Sequence, residues 1–156
     1  MTLQSFDLKL INFFRKISIP IARLAIFVVF FWFGFLKVIG LSPAGIVVAN
    51  LFHKTISFMD FGSFYLAFGL FECLIGILFL IKGMERVVIP LLFLHIITTL
   101  GPLVLLPGET WVQFMVPTLE GQYIIKNLAI VALAIGIAAN LHPLSAKNTQ
   151  NANPGN

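Results

Sequence analysis

The fold of this chain is decided by residues 62–81, whose sequence is GSFYLAFGLFECLIGILFLI. Glu72 is the only charged residue in this segment. A helix needs roughly 20 consecutive, predominantly apolar residues to cross the hydrocarbon core of a bilayer, and the segment has this length. It therefore predicts a transmembrane helix.

Three further apolar stretches have a similar length, and the composition of the whole chain agrees with them. Of the 156 residues, 59% are hydrophobic and 10% are charged, whereas a soluble domain carries about 25% charged residues. No alternating polar pattern of the kind found in a transmembrane β-barrel is present. We predict an all-α membrane protein with a four-helix bundle in residues 19–142. The predicted helices are 19–39, 62–81, 87–106 and 123–141, between an N-terminal segment (1–18) and a disordered tail (143–156).

Positive residues indicate how the helices are oriented, because cytoplasmic connections of membrane proteins carry an excess of Lys and Arg. Here the excess lies in the N-terminal segment, the connection between the second and third predicted helices, and the tail. These residues are Lys9, Arg15, Lys16, Lys82, Arg86 and Lys147. We therefore expect the N-terminal segment and the tail to be cytoplasmic.

The connection after the first predicted helix has amphipathic character. In residues 42–59, polar side chains recur at helical spacing opposite an apolar set, which predicts a helix lying on the outer membrane surface. The other outer connection contains Pro107 and Trp111. Tryptophan is enriched at membrane–water boundaries, so we expect Trp111 to lie in an outer aromatic belt.

Small residues mark where the helices are expected to pack. Glycines recur every seven residues through the second predicted helix, at Gly69 and Gly76 among others, and Gly136 lies in a small-residue face of the fourth. Small side chains allow transmembrane helices to approach closely. We predict helix packing at these positions and at Gly34 of the first helix.

Ionisable side chains within the spans are the candidates for function. A charge at the centre of a spanning helix costs about 2.5–3.5 kcal/mol on insertion scales, so each one requires a partner or a role. They are Arg23, Lys37, Glu72, His95 and Lys126. We expect a polar core in which Arg23, Glu72 and His95 meet at mid-depth, with Lys37 and Lys126 at the outer mouth.

Simpler interpretations exist for most of these residues. The long side chains of Arg23, Lys37 and Lys126 can extend to the nearest polar surface, and His95 can be a neutral histidine with satisfied hydrogen bonds. Glu72 has no such option, because a short carboxylate at mid-membrane must be paired, protonated or in contact with water.

Several classes of function find no support in the sequence. There is no HExxH motif, no second histidine at helical spacing and no phosphate-binding loop, so no metal site is predicted. A single cysteine, Cys73, excludes an internal disulfide. The net charge of +4 is spread along the chain, so nucleic acid is not an expected partner. Nothing indicates an enzyme that acts on its own.

Several motifs taken together resemble a known group of membrane proteins. Residues 22–37, 71–76 and 121–126 look like the DoxX-like superfamily, and residues 43–50 and 107–111 are similar to its YkgB-type family of bacterial inner-membrane proteins. The resemblance covers residues 20–142 and implies a four-helix bundle in a bacterial inner membrane. The matching positions are Arg23, Gly34, Lys37, Glu72, Gly76 and Lys126.

The resemblance also implies a physiological setting, since some relatives are linked to quinone-coupled sulfur oxidation and a YkgB-type member to resistance to reactive chlorine. The leading hypothesis is a protein that supports redox or oxidative-stress physiology and binds a quinone or small solute around Glu72. A second hypothesis is a non-catalytic assembly partner or chaperone of another membrane complex, and a third is a small-solute transporter. Expected partners are the bilayer, a membrane protein or a second copy of the chain.

Overall fold

The computed structural model describes residues 3–56 and 58–143. In chain order, the elements are α1 (Leu3–Val38), α2 (Gly45–Thr55), α3 (Phe61–Leu80), α4 (Glu85–Leu105), α5 (Pro107–Thr110), β1 (Trp111–Gln113), β2 (Val116–Pro117) and α6 (Leu119–Ala139). All of the predicted disordered tail beyond residue 143 lies outside the described residues.

Four of these helices, α1, α3, α4 and α6, are long and apolar enough to cross a membrane by their length and composition. They bundle side by side, and large apolar side chains such as Trp32, Ile97 and Leu128 remain more than 60% exposed on the outside of the bundle. Such a surface suits contact with lipid tails. The chain is therefore an all-α, multi-pass membrane protein, as its composition predicts.

The first helix begins much earlier than the sequence predicts. The predicted start at residue 19 is wrong, because α1 runs without interruption from Leu3 to Val38 and contains Pro20 in its interior. Residues 3–18 contain no glycine or proline, so nothing ends a helix before Pro20. Proline removes one backbone hydrogen bond from a helix interior, and α1 accommodates this loss.

Glycines set the distance between α1 and α3. A Cβ atom added to Gly34 would lie 2.7 Å from the carbonyl oxygen of Gly69, and one added to Gly69 would lie 2.9 Å from the carbonyl oxygen of Gly34. A Cβ on Gly76 would lie 2.9 Å from the backbone nitrogen of Phe31. The two backbones are thus in contact, which only residues without a side chain permit.

Among the described residues, Gly136 does not pack against another helix of the bundle, so the predicted packing is not seen inside the chain. It is exposed, and a Cβ added there meets nothing within 4 Å. The opposite face of α6 packs inward instead, through Ile124, Ile130 and Ile137. Both faces of this helix are apolar, so the sequence does not reveal that the bulkier side chains face the bundle.

The two ends of the bundle differ. The end that carries the short α3–α4 connection is called the turn end below, and the end that carries α2, α5 and the β1–β2 hairpin is called the hairpin end. Between them the apolar core is built around fully buried side chains from all four long helices: Ile26, Ile75, Leu92 and Ala134 are each 0% exposed.

The hairpin end contains structure that the sequence does not predict. The antiparallel pair β1–β2 turns at Met115, which has a positive φ of 61°. The backbone N–H of Thr118 donates to the carbonyl of Thr110 at 3.0 Å, and Thr110 is 0% exposed. Across this end, Asn50 of α2 donates to Glu109 at 2.9 Å, which ties α2 to α5.

Candidate functional site

A buried ion pair joins α1 to α3. The Nζ atom of Lys37 donates to Oε2 of Glu72 at 2.6 Å, and the two side chains are 6% and 8% exposed. A hydrogen bond between charged groups is stronger than one between neutral groups, and few water molecules can compete with it here. Glu72 therefore has a cationic partner inside the bundle.

The other oxygen of the same carboxylate faces His95 of α4. Glu72 Oε1 lies 3.3 Å from His95 Nε2, and the hydroxyl of Thr99 lies 3.2 Å from the same nitrogen. A lone pair on Nε2 would face a carboxylate oxygen, so the geometry favours the tautomer with its hydrogen on Nε2. Lys37, Glu72 and His95 form one connected group, called the polar cluster below.

The second ring nitrogen of His95 is the exception in this network. His95 is buried, and within residues 3–56 and 58–143 its Nδ1 atom has no hydrogen-bond partner. Buried polar atoms in folded proteins nearly always have a partner. In the tautomer favoured above, Nδ1 carries a lone pair and is free to accept a hydrogen bond.

Aromatic rings surround the polar cluster. The imidazole of His95 stacks on Phe68 at a centroid distance of 5.0 Å and meets the edge of Phe30 at 5.1 Å. Lys37 Nζ also lies 5.7 Å from the centroid of the Phe68 ring, which is a favourable position for a cation. These rings exclude water and lower the local dielectric, which strengthens the ion pair.

The helix contact explains how the polar cluster forms. Glu72 lies three residues after Gly69 and Lys37 lies three residues after Gly34, so each charged residue shares a helix face with a glycine. Because those glycines bring the α1 and α3 backbones into contact, the two side chains meet directly. The packing glycines and the ion pair belong to the same interface.

Arg23 does not join the polar cluster, and this prediction is wrong. It pairs with Glu85 at the turn end and donates to the carbonyl of Phe79 at 3.4 Å. Lys37 lies 14 residues further along α1, roughly 21 Å at 1.5 Å per residue, so the two basic residues serve different carboxylates. Glu85 is missing from the sequence-based site because α4 starts at Glu85, two residues before the predicted start.

Lys126 also lies apart from the polar cluster. It is exposed, and its Nζ atom lies 4.9 Å from the centroid of the Tyr123 ring on the same helix. Of the outer-connection residues, Pro107 begins α5 and Trp111 donates from Nε1 to the carbonyl of Leu103 at 2.9 Å. Trp111 therefore fastens the hairpin to α4.

The polar cluster contains one carboxylate and one imidazole, which is too few ligands for an ordinary metal site. Within residues 3–56 and 58–143, no group of three His, Cys, Asp or Glu side chains is placed to hold a metal ion. The chemistry available is that of hydrogen bonding and proton exchange, with a fixed ammonium, a carboxylate and an imidazole that accepts at Nδ1.

Comparisons with protein-family models, with curated proteins and with solved structures find no match to this chain. The likeness to the DoxX-like superfamily remains a prediction from the sequence motifs.

Proposed function

We propose that the chain is a DoxX-like protein of a bacterial inner membrane, with both termini in the cytoplasm and α2 on the outer face. In this proposal it supports redox or oxidative-stress physiology by binding a quinone or another small solute at the polar cluster. The sequence motifs described above support the location in a bacterial inner membrane and the link to redox or oxidative-stress physiology. The arrangement of side chains around Glu72 supports the binding of a small molecule.

The observation that carries the binding proposal is the unpartnered Nδ1 atom of His95. Leaving a buried acceptor without a hydrogen bond costs about 1–3 kcal/mol, and a bound hydroxyl would recover that free energy. The reduced form of a quinone presents such a hydroxyl. Phe68 stacks on the imidazole and is partly exposed, so it gives a flat ring an aromatic side chain to pack against.

Glu72 would stabilise His95 if the imidazole accepts a proton from the ligand. When Nδ1 accepts the proton of a bound hydroxyl, the imidazole becomes a cation next to the Glu72 carboxylate, which stabilises it at 3.3 Å. Lys37 holds that carboxylate in place through its other oxygen. When the ligand changes its protonation state, His95 would accept the proton and Glu72 would balance the positive charge on the imidazole. Lys37 would keep the Glu72 carboxylate in position.

The test is to purify the full chain in mild detergent and to identify the small molecules that co-purify, by mass spectrometry and absorbance. We expect a quinone at close to one per chain in the wild type and its loss in Glu72→Gln and in His95→Phe. Glu85→Gln is the matched control, because it makes the same chemical change in the other buried carboxylate. A folded wild-type protein without any bound molecule, or equal loss in Glu85→Gln, would overturn the proposal.

The assembly-partner hypothesis keeps one specific observation in its favour. The exposed face of α6 carries small residues at helical spacing, and these are Ala129, Ala132, Gly136 and Ala139. Small residues allow a helix of another chain to approach closely. Under this hypothesis, Gly136→Leu releases a co-purifying stoichiometric partner, whereas Ala67→Leu on the exposed face of α3 does not. Retention of the partner by both variants would argue against α6 as the contact.

A further inference from the structure

A second polar group lies at the turn end, separate from the polar cluster, and it opens into a recess. The recess has a volume of about 510 Å³ and lies where α1 passes the α3–α4 connection. Its walls combine apolar and charged side chains, which are Ile19, Pro20, Leu80, Arg23, Lys82 and Glu85. Arg23 and Glu85 form a part-buried ion pair in this lining.

The recess carries one net positive charge, because Arg23 and Lys82 each contribute +1 and Glu85 contributes −1. Arg23 uses two of its N–H groups, toward Glu85 and the carbonyl of Phe79, while a guanidinium has five. Lys82 has no hydrogen-bond or ion-pair partner among the residues that the structure describes. The recess therefore offers several unused donors and only one carboxylate, which Arg23 already neutralises, so it is complementary to a monoanion.

The position of the recess narrows the kind of anion. Leu80 is the last residue of α3 and Glu85 is the first of α4, so the charged groups lie level with the ends of two apolar spans. Head groups occupy that level of a bilayer, and basic pockets between spanning helices hold anionic lipid head groups. Ile19 and Leu80 offer apolar contact to the part of the ligand that continues into the hydrocarbon.

We propose that this recess binds the phosphodiester of an anionic glycerophospholipid, with Arg23 and Lys82 on the phosphate and Ile19 and Leu80 along the acyl chain. Arg23 is held by Glu85, so it is already oriented before the lipid arrives. Lys82 supplies the net positive charge. The site is independent of the function proposed for the polar cluster.

The experiment is native mass spectrometry of the full chain, released from mild detergent that contains phosphatidylglycerol, phosphatidylcholine or inorganic phosphate. The wild type should retain one phosphatidylglycerol in preference to phosphatidylcholine, and inorganic phosphate should not displace it. Lys82→Gln should weaken retention about fivefold, the effect of one cationic side chain at a membrane surface, and Lys82→Arg should restore it. Lys82 is exposed, so these changes leave the thermal stability unchanged.

Arg86→Gln is the matched control, because Arg86 is an exposed basic residue at the same end that does not line the recess. It should change retention by less than Lys82→Gln does. Equal weakening by the two variants would show a diffuse surface attraction and overturn the proposal. If phosphatidylcholine were retained as well as phosphatidylglycerol, the net charge of the recess would not select the lipid, and the proposal would fail. Displacement of the lipid by inorganic phosphate would show that the recess binds phosphate and not a lipid.

Discussion

Replacing Lys37 by methionine should destabilise the protein strongly, although methionine is the more apolar side chain. In the wild type, Lys37 Nζ donates to Glu72 at 2.6 Å, and both side chains are more than nine-tenths buried. Lys37→Met leaves the carboxylate without its cation in the middle of α3. The perturbation therefore measures an uncompensated buried charge, not a loss of packing volume.

The size of the effect follows from the remaining contacts of Glu72. Removing one partner of a buried ion pair costs about 3–5 kcal/mol. His95 still faces the carboxylate at 3.3 Å, so we expect the lower end, about 3 kcal/mol. For a chain of about 150 residues this corresponds to a fall in Tm of about 6–12 °C. The double variant with methionine at both positions should lie near the wild type, because replacing a whole buried pair by apolar residues is often neutral or stabilising.

The assay is thermal unfolding of the purified chain in one detergent, for the wild type, Lys37→Met, Glu72→Met and the double variant. The double variant should be more stable than Lys37→Met. This expectation fails if Lys37→Met melts at the same temperature as the wild type, since the Glu72 carboxylate would then be protonated or solvated by water. It also fails if the losses of the two single variants simply add in the double variant.

Four other substitutions test the packing and one hydrogen bond. Gly34→Ala should destabilise by about 1–3 kcal/mol, the usual range for an overpacked site, while Gly136→Ala should be neutral or stabilising by up to about 1 kcal/mol because its site is open and alanine favours helix; chemical denaturation would rank the two. Gly121→Ala should abolish protection of the hairpin end in hydrogen exchange, because its Cβ collides with the carbonyl oxygen of Thr110. Trp111→Phe removes one hydrogen bond to α4 and should cost about 1 kcal/mol, with faster proteolysis at the hairpin as the readout.

The sequence predicts the four long apolar helices because apolar length is a strong, local signal, although it misses where the first of them begins. It also places Glu72 and His95 at a similar depth, and the structure brings them within 3.3 Å. What it does not provide is the rotation and relative height of the helices. Arg23 and Lys37 are both plausible cations for Glu72 by spacing alone, and only the contact at Gly34 decides in favour of Lys37.

Other features cannot be predicted from the sequence for a different reason. The hairpin depends on the fit between Gly121 and Thr110, a contact between residues in separate elements that no periodicity reports. The outward direction of Gly136 depends on which of two apolar faces packs better. Glu85 is not predicted as a site residue because α4 begins two residues before its predicted start.

The helix that carries Lys37 is much longer than a bilayer core requires. A helix of 36 residues is about 54 Å long, whereas the hydrocarbon core is about 30 Å thick. Residues 3–18 therefore form an extension about 24 Å long of the helix that carries Lys37. Pro20, where one backbone hydrogen bond is missing, lies between this extension and Lys37, so a bend at Pro20 would let the extension change direction without moving the ion pair.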